Sequence, residues 1–227
     1  MKLIALETAT EACSAALYLD GAVQERYELA PRGHAGLILP MIEGLLGDAG
    51  VALRALDAVA VGQGPGSFTG VRVAAGVAQG IAFGADLPVV AVSSLAALAQ
   101  TGMDEADAPR VLAAIDARME EVYWGAYCCD DQGLAALIGS EIVCDAADVP
   151  LPDEQGWVGV GSGWGRYADV LRRVLAERVA GTDAERYPRA AAVARLGAAA
   201  FARGETLPPE GAAPVYLRND VVRARGK

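Results

Sequence analysis

Glu7 and Asp116 each close an apolar, strand-like run, LIALE and VLAAID. Two acids so placed and facing a common cleft could hold a hydrated metal ion against a nucleotide phosphate. They could equally orient the turns that follow, because a carboxylate accepts backbone N–H groups two residues on. Hairpins that grip phosphate place glycine after the acid, and neither ETAT at 7–10 nor DARMEE at 116–121 contains one. The second chemical candidate is GQGPGSFTG at 62–70, set between a strand-like and a helix-like segment. Gly64, Gly66, Ser67 and Thr69 could present N–H and hydroxyl groups to an anion or nucleotide phosphate at a helix N-terminus. A tight turn capped by Ser67 fits the same residues, and without a lysine after the loop this is no Walker motif.

His34 is the one histidine, so a His-rich metal site cannot be assembled; a lone His at a helix start reads as a cap or surface residue. No G-x-S-x-G elbow places a serine beside it, which leaves a Ser-His-Asp hydrolase without support. The enzymatic alternative is an ATP-dependent phosphotransferase or hydrolase built on Glu7, Asp116 and the glycine loops.

The elements that would position these residues follow a regular grammar. Residues 2–6, 12–19 and 22–27 read as strands with an Asp-Gly turn at Asp20 and Gly21; 34–49 is helical, 57–62 a strand, 69–83 a helix and 88–92 a strand. The order is βββαβαβ. Strands at 110–116 and 122–128, and a third after Gln132-Gly133, restart it. Leu6-Glu7 and Tyr18 find counterparts in Ile115-Asp116 and Tyr127 at one constant offset, as a duplication would give. The second half reads as abbreviated, with helices at 164–179 and 189–202. TGMDEADAP at 101–109 has a linker's composition, which predicts lobes at 1–101 and 109–227.

Two helices carry the strongest pattern. In the first, Leu37, Ile38, Leu39, Met41, Ile42, Leu45, Leu46 and Ala49 cover about 200° of the circumference, wider than one core requires. In the second, Arg72 is the one charge over 69–85, and Gly76, Gly80 and Gly84 fall on a face with Val73 and Val77, allowing close backbone approach. Either these faces form a protein interface or the second lobe covers them.

Composition bounds the rest. The 227 residues are 53% hydrophobic and carry 19 basic against 29 acidic residues, net −10. Such a chain is globular and repels a phosphate backbone, so no autonomous binding of nucleic acid, tRNA or any other, is expected. The basic tail, Arg218, Arg223, Arg225 and Lys227, reads as a solvated terminus. Cys13, Cys128, Cys129 and Cys144 form no C-x-x-C pair and read as buried, reduced thiols. No signal-like or membrane-spanning run is present, which predicts a cytoplasmic protein without a membrane partner.

LETATEACSAAL, HAGLILPMI, DAVAVGQGPGSFTGVRVAAGVAQGIAFG, PVVAVSSLAALA, VLAAIDARMEEVYWGAY and YLRNDV together resemble the TsaB (also called YeaZ) family. The resemblance implies an α/β, two-lobe actin-like (ASKHA, RNase H-like) fold and a non-catalytic scaffold role. It implies a complex with the larger TsaD subunit, which transfers a threonylcarbamoyl group to a tRNA adenosine, and with the TsaE ATPase. ATP would be used by that complex, with no cofactor held by this chain alone. By the resemblance, Leu37, Met41, Leu45, Val73, Gly76, Val77 and Gly80 would meet the partner, or a second copy in a homodimer. The metal histidines of the catalytic relative are not matched here beyond His34, so that function does not carry over.

Overall fold

The computed structural model describes residues 1–218. β1 (Lys2–Glu7), β2 (Ala12–Leu19) and β3 (Ala22–Leu29) form an antiparallel meander. It turns at Asp20 and Gly21, which take φ of 48° and 101°, the left-handed pair a two-residue hairpin needs. α1 (His34–Ala49) then delivers β4 (Ala58–Gly62) parallel to β1, and α2 (Phe68–Ala85) delivers β5 (Val89–Val92) parallel to β4. The sheet runs β3-β2-β1-β4-β5.

After α3 (Ser94–Ala106) the chain builds a second sheet. β6 (Arg110–Arg118), β7 (Glu121–Cys129) and β8 (Ala135–Asp145) are antiparallel, while β9 (Trp157–Val160) and β10 (Val179–Asp183) extend it in parallel on the other side. Its order, β10-β9-β6-β7-β8, is that of the first sheet read from the opposite edge. The protein is thus α/β with two lobes. No helix joins β8 to β9, where the first lobe has α1; α4 (Ser162–Arg166) and α5 (Ala168–Leu175) lie between β9 and β10, and α6 (Ala190–Ala202) follows.

The layers alternate. One face of the first sheet, with Ile4, Leu6, Leu17, Val59 and Val61, packs on α1 and α2. Its other face, with Leu3, Ala5, Ala60 and Val90, packs on α6. The second sheet lies between α3 on one face and α4 with α5 on the other, where Trp124, Trp157 and Trp164 fill the core. α3 and α6 touch each other, so they form a central layer between the sheets. Coverage on both faces explains why Leu3, Ile4, Ala5 and Leu6 are all fully buried, a continuous apolar run rather than an alternating one. Each of the Leu and Ile side chains among them contributes about 1.5–3 kcal/mol of transfer free energy.

Several expectations change. The polar stretch from Thr101 is not linker until after Ala106: Thr101 Oγ1 donates to Ala97 O at 2.8 Å, and Met103 enters the second-lobe core, so tertiary contacts extend α3. The helix expected over 164–179 is broken at Tyr167 and gives way to β10, because Val179 pairs with Trp157. Only Cys13 of the four free cysteines is buried; Cys129, at the end of β7, is exposed. Among the described residues no helix is long and apolar enough to cross a membrane. Arg223, Arg225 and Lys227 lie outside the described residues.

Candidate functional site

α1 and α2 owe their ends to local chemistry. Gly50 ends α1 in the left-handed region at φ 63°, its N–H capping Leu46 and Gly47 carbonyls. Ser67 starts α2, its Oγ accepting from Gly70 N at 3.0 Å, so the serine is the helix cap. Inward, α1 presents Ile38, Met41, Ile42 and Leu45, and α2 presents Val71, Ala74, Ala78 and Ala82. The small residues of α2 let it lie close on the sheet.

Outward, the two helices remain apolar. On α2, Phe68, Gly76, Gly80, Phe83 and Gly84 are exposed, with Val73, Val77 and Ile81 half-buried beside them. A Cβ built on Gly76, Gly80 or Gly84 would meet only open space. Phe83 is 62% exposed and Leu39 of α1 is 46% exposed. The second lobe does not cover this face. The predicted interface residues divide. Gly76 and Gly80 are open, Leu37, Val73 and Val77 are half-buried, and Met41 and Leu45 are 8% and 3% exposed within the chain's own core. Those last two are corrected from surface to core, since the wide α1 stripe points one flank at the sheet and the other, through Leu39 and Pro40, at solvent. Leu39, part of the wide α1 stripe but not among the named interface residues, and Phe83, which the sequence pattern did not mark, point outward; each follows a buried residue, Ile38 and Ala82, and so lies about 100° around the helix from it.

The acids do not meet. Glu7 is fully buried, its Oε1 accepting from Ala9 N at 2.6 Å and its Oε2 from Ser94 Oγ at 2.7 Å. Desolvation raises its pKa, partly offset by those hydrogen bonds. A carboxylate so enclosed cannot coordinate a metal ion in the cleft, and it orients the 7–10 turn instead. Asp116 is at the cleft, where Oδ1 accepts from Arg118 N at 2.8 Å and Tyr167 Oη at 3.0 Å. His34 is buried, not on the surface, and its Nε2 donates to Thr10 O at 2.7 Å.

The glycine loop packs on the same turn. A Cβ on Gly66 would overlap Ala9, and one on Gly70 would overlap Thr8 O. Ser67 N donates to Ala9 O at 2.7 Å, and Thr8 Oγ1 donates to Gly70 O at 2.8 Å. Gly64, buried, has φ 98° and lies near Val215. Close approach to 8–9 is therefore what the glycines provide, while Ser67 and Thr69 face a cleft of about 1700 Å³ between the lobes. Arg72 shares that wall; Asp116, Arg118 and Tyr167 line the other. The hairpin tip holds Arg118, Met119 and Glu120 at φ of 62°, 56° and 67°, three consecutive left-handed residues without glycine. Each costs about 1 kcal/mol or more.

A family model described as "TsaD: tRNA N6-adenosine threonylcarbamoyltransferase" matches residues 26–202. The "tRNA threonylcarbamoyladenosine biosynthesis protein TsaB" of Escherichia coli (strain K12) is 44% identical over 97% of this chain and 96% of its own length. The chain belongs to the TsaB (YeaZ) family. The TsaB protein of Haemophilus influenzae is 39% identical over 97% of this chain and 95% of its own length. A solved structure, "YeaZ from Pseudomonas aeruginosa", is 50% identical with a TM-score of 0.89, covering 95% of this chain and 99% of that one. The two-lobe architecture is therefore one this TsaB-family chain shares with a solved relative.

Proposed function

We propose that this chain acts in tRNA threonylcarbamoyladenosine biosynthesis as a non-catalytic scaffold subunit, and that the outer face of α1 and α2 binds the catalytic TsaD subunit. The open stripe of α2 carries this proposal: from Gly76 to Gly84 it bears no charge and includes exposed Phe83, and α1 adds exposed Leu39. Contiguous apolar surface of this kind is costly in water and favourable to bury. Its glycines let a facing helix come near enough for backbone contact. The match of a TsaD model to 26–202, a stretch that includes both helices, supports a partner built on the same plan. Fixing that partner in its working geometry is a population shift, which needs only tighter binding to one state.

TsaE would join the assembly and ATP would be used there, not in this chain. Its place is the cytoplasm. The equivalent strand orders of the sheets support an actin-like fold made of two copies of one unit. In the absence of TsaD the same helices would pair two copies of this chain. The phosphotransferase alternative loses its metal-holding acid, because Glu7 is enclosed.

Mass measurement of the full chain alone and mixed with TsaD tests the reading. The Gly76→Glu, Gly80→Glu double variant places two charges in open space and should fold normally but form no complex and support no tRNA modification. A complex with TsaD that survived both charges would refute the assignment of this face.

A further inference from the structure

We propose that residues 212–218 form a strap that fixes how far the lobes stand apart, with Arg218 as its latch on the second-lobe hairpin. The chain from Leu207 to Val215 is tied to the first lobe at three points. Leu207 and Val89 exchange backbone hydrogen bonds at 2.8 and 2.9 Å, Gln79 Nε2 donates to Ala212 O at 3.1 Å, and Val215 N donates to Gln63 O at 2.8 Å. Tyr216 then meets Arg72 of α2, whose guanidinium lies 5.2 Å from the Tyr216 ring centre and 3.2 Å from that of Phe68.

Two residues later the chain reaches the other lobe. Arg218 Nη2 donates to Ala117 O at 3.0 Å and pairs with Glu121, and Nη1 lies 3.5 Å from Met119 Sδ. The pair is mostly shielded, with side-chain exposures of 19% and 13%, so its attraction is little screened. α3 and α6 join the lobes through the interior, whereas Tyr216 and Arg218 line the cleft rim. A contact at the rim sets the opening that an interior hinge leaves free.

The latch is poised rather than locked. It bonds the hairpin end at Ala117 O and Glu121 and rests on Met119, the first of the two left-handed residues of the turn between Arg118 and Glu121. Arg218 Nε is buried with no hydrogen-bond partner among the described residues, a cost that release would remove. That cost favours the open form, and the bonds from Nη2 favour the closed one.

Amide exchange on the full chain, read with a distance distribution between spin labels at Thr69→Cys and Arg166→Cys, tests this. The labelled chain carries Cys128→Ser, Cys129→Ser and Cys144→Ser. Arg218→Ala should speed exchange at 117–121 by about tenfold or more and lengthen the label distance, with β1, β4 and β6 amides unchanged. Unchanged label distances, or acceleration spread evenly through both sheets, would overturn the proposal.

Discussion

Gly62 lies directly beneath the Glu7 carboxylate, so close that a Cβ on it would overlap Oε2. The last residue of β4 is thus glycine because the last residue of β1 turns its side chain inward and stops over it. Ser94, at the start of α3, completes the enclosure from a third element.

Gly62→Ala should therefore destabilise the fold well beyond an ordinary strand substitution. The carboxylate has no room to retreat, and overpacking of this kind costs about 1–3 kcal/mol. Urea unfolding should show a lower midpoint with an unchanged slope. A midpoint within error of the parent would mean that Glu7 can move.

The same burial gives a pH signature. Desolvation raises the folded-state pKa of Glu7, so the folded form holds the proton more tightly than the unfolded chain, where the value is about 4.3. Its contribution to stability is fully present below that unfolded value and is lost as pH rises through the folded one. Glu7→Gln, which keeps an acceptor for Ala9 N and a polar partner for Ser94, should remove this loss. The stability difference between variant and parent should grow in the variant's favour as pH rises from acid toward neutral. Parallel stability curves for the two proteins would refute the assignment.

On α2, Gly80→Ala separates folding from association. The position is helical, exposed and open around a built Cβ, so alanine should stabilise the isolated chain by about 1 kcal/mol. The added methyl should also weaken pairing through this face by holding the facing helix away. Thermal unfolding and mass measurement on the same preparation check both signs.

The first lobe was legible because its signals are local: the Asp-Gly turn, the helical periods of α1 and α2, and the apolar runs of β1 and β4 each declare their own element. The second lobe was less so. β10 exists because Val179 and its successors pair with β9, and nothing within VLRRVLAERV announces that partner. The last turns of α3 looked like linker because Thr101, Asp104 and Glu105 are polar, yet Thr101 and Gln100 are buried and hydrogen-bonded. At the site, sequence marked both helices but not which flank of α1 faces outward, since Met41 and Leu39 are equally apolar. The enclosure of Glu7 depends on Gly62 and Ser94, far off in the chain, and no spacing rule joins the three.

α6 covers the face of the first sheet that presents Leu3, Ala5, Ala60 and Val90, although it is the last α-helix in sequence among the described residues. During translation that face emerges early and stays bare until residues 190–202 leave the ribosome. The N-terminal lobe cannot complete its core as an independent nascent unit, and a chaperone's opportunity to engage it lasts until that helix has emerged.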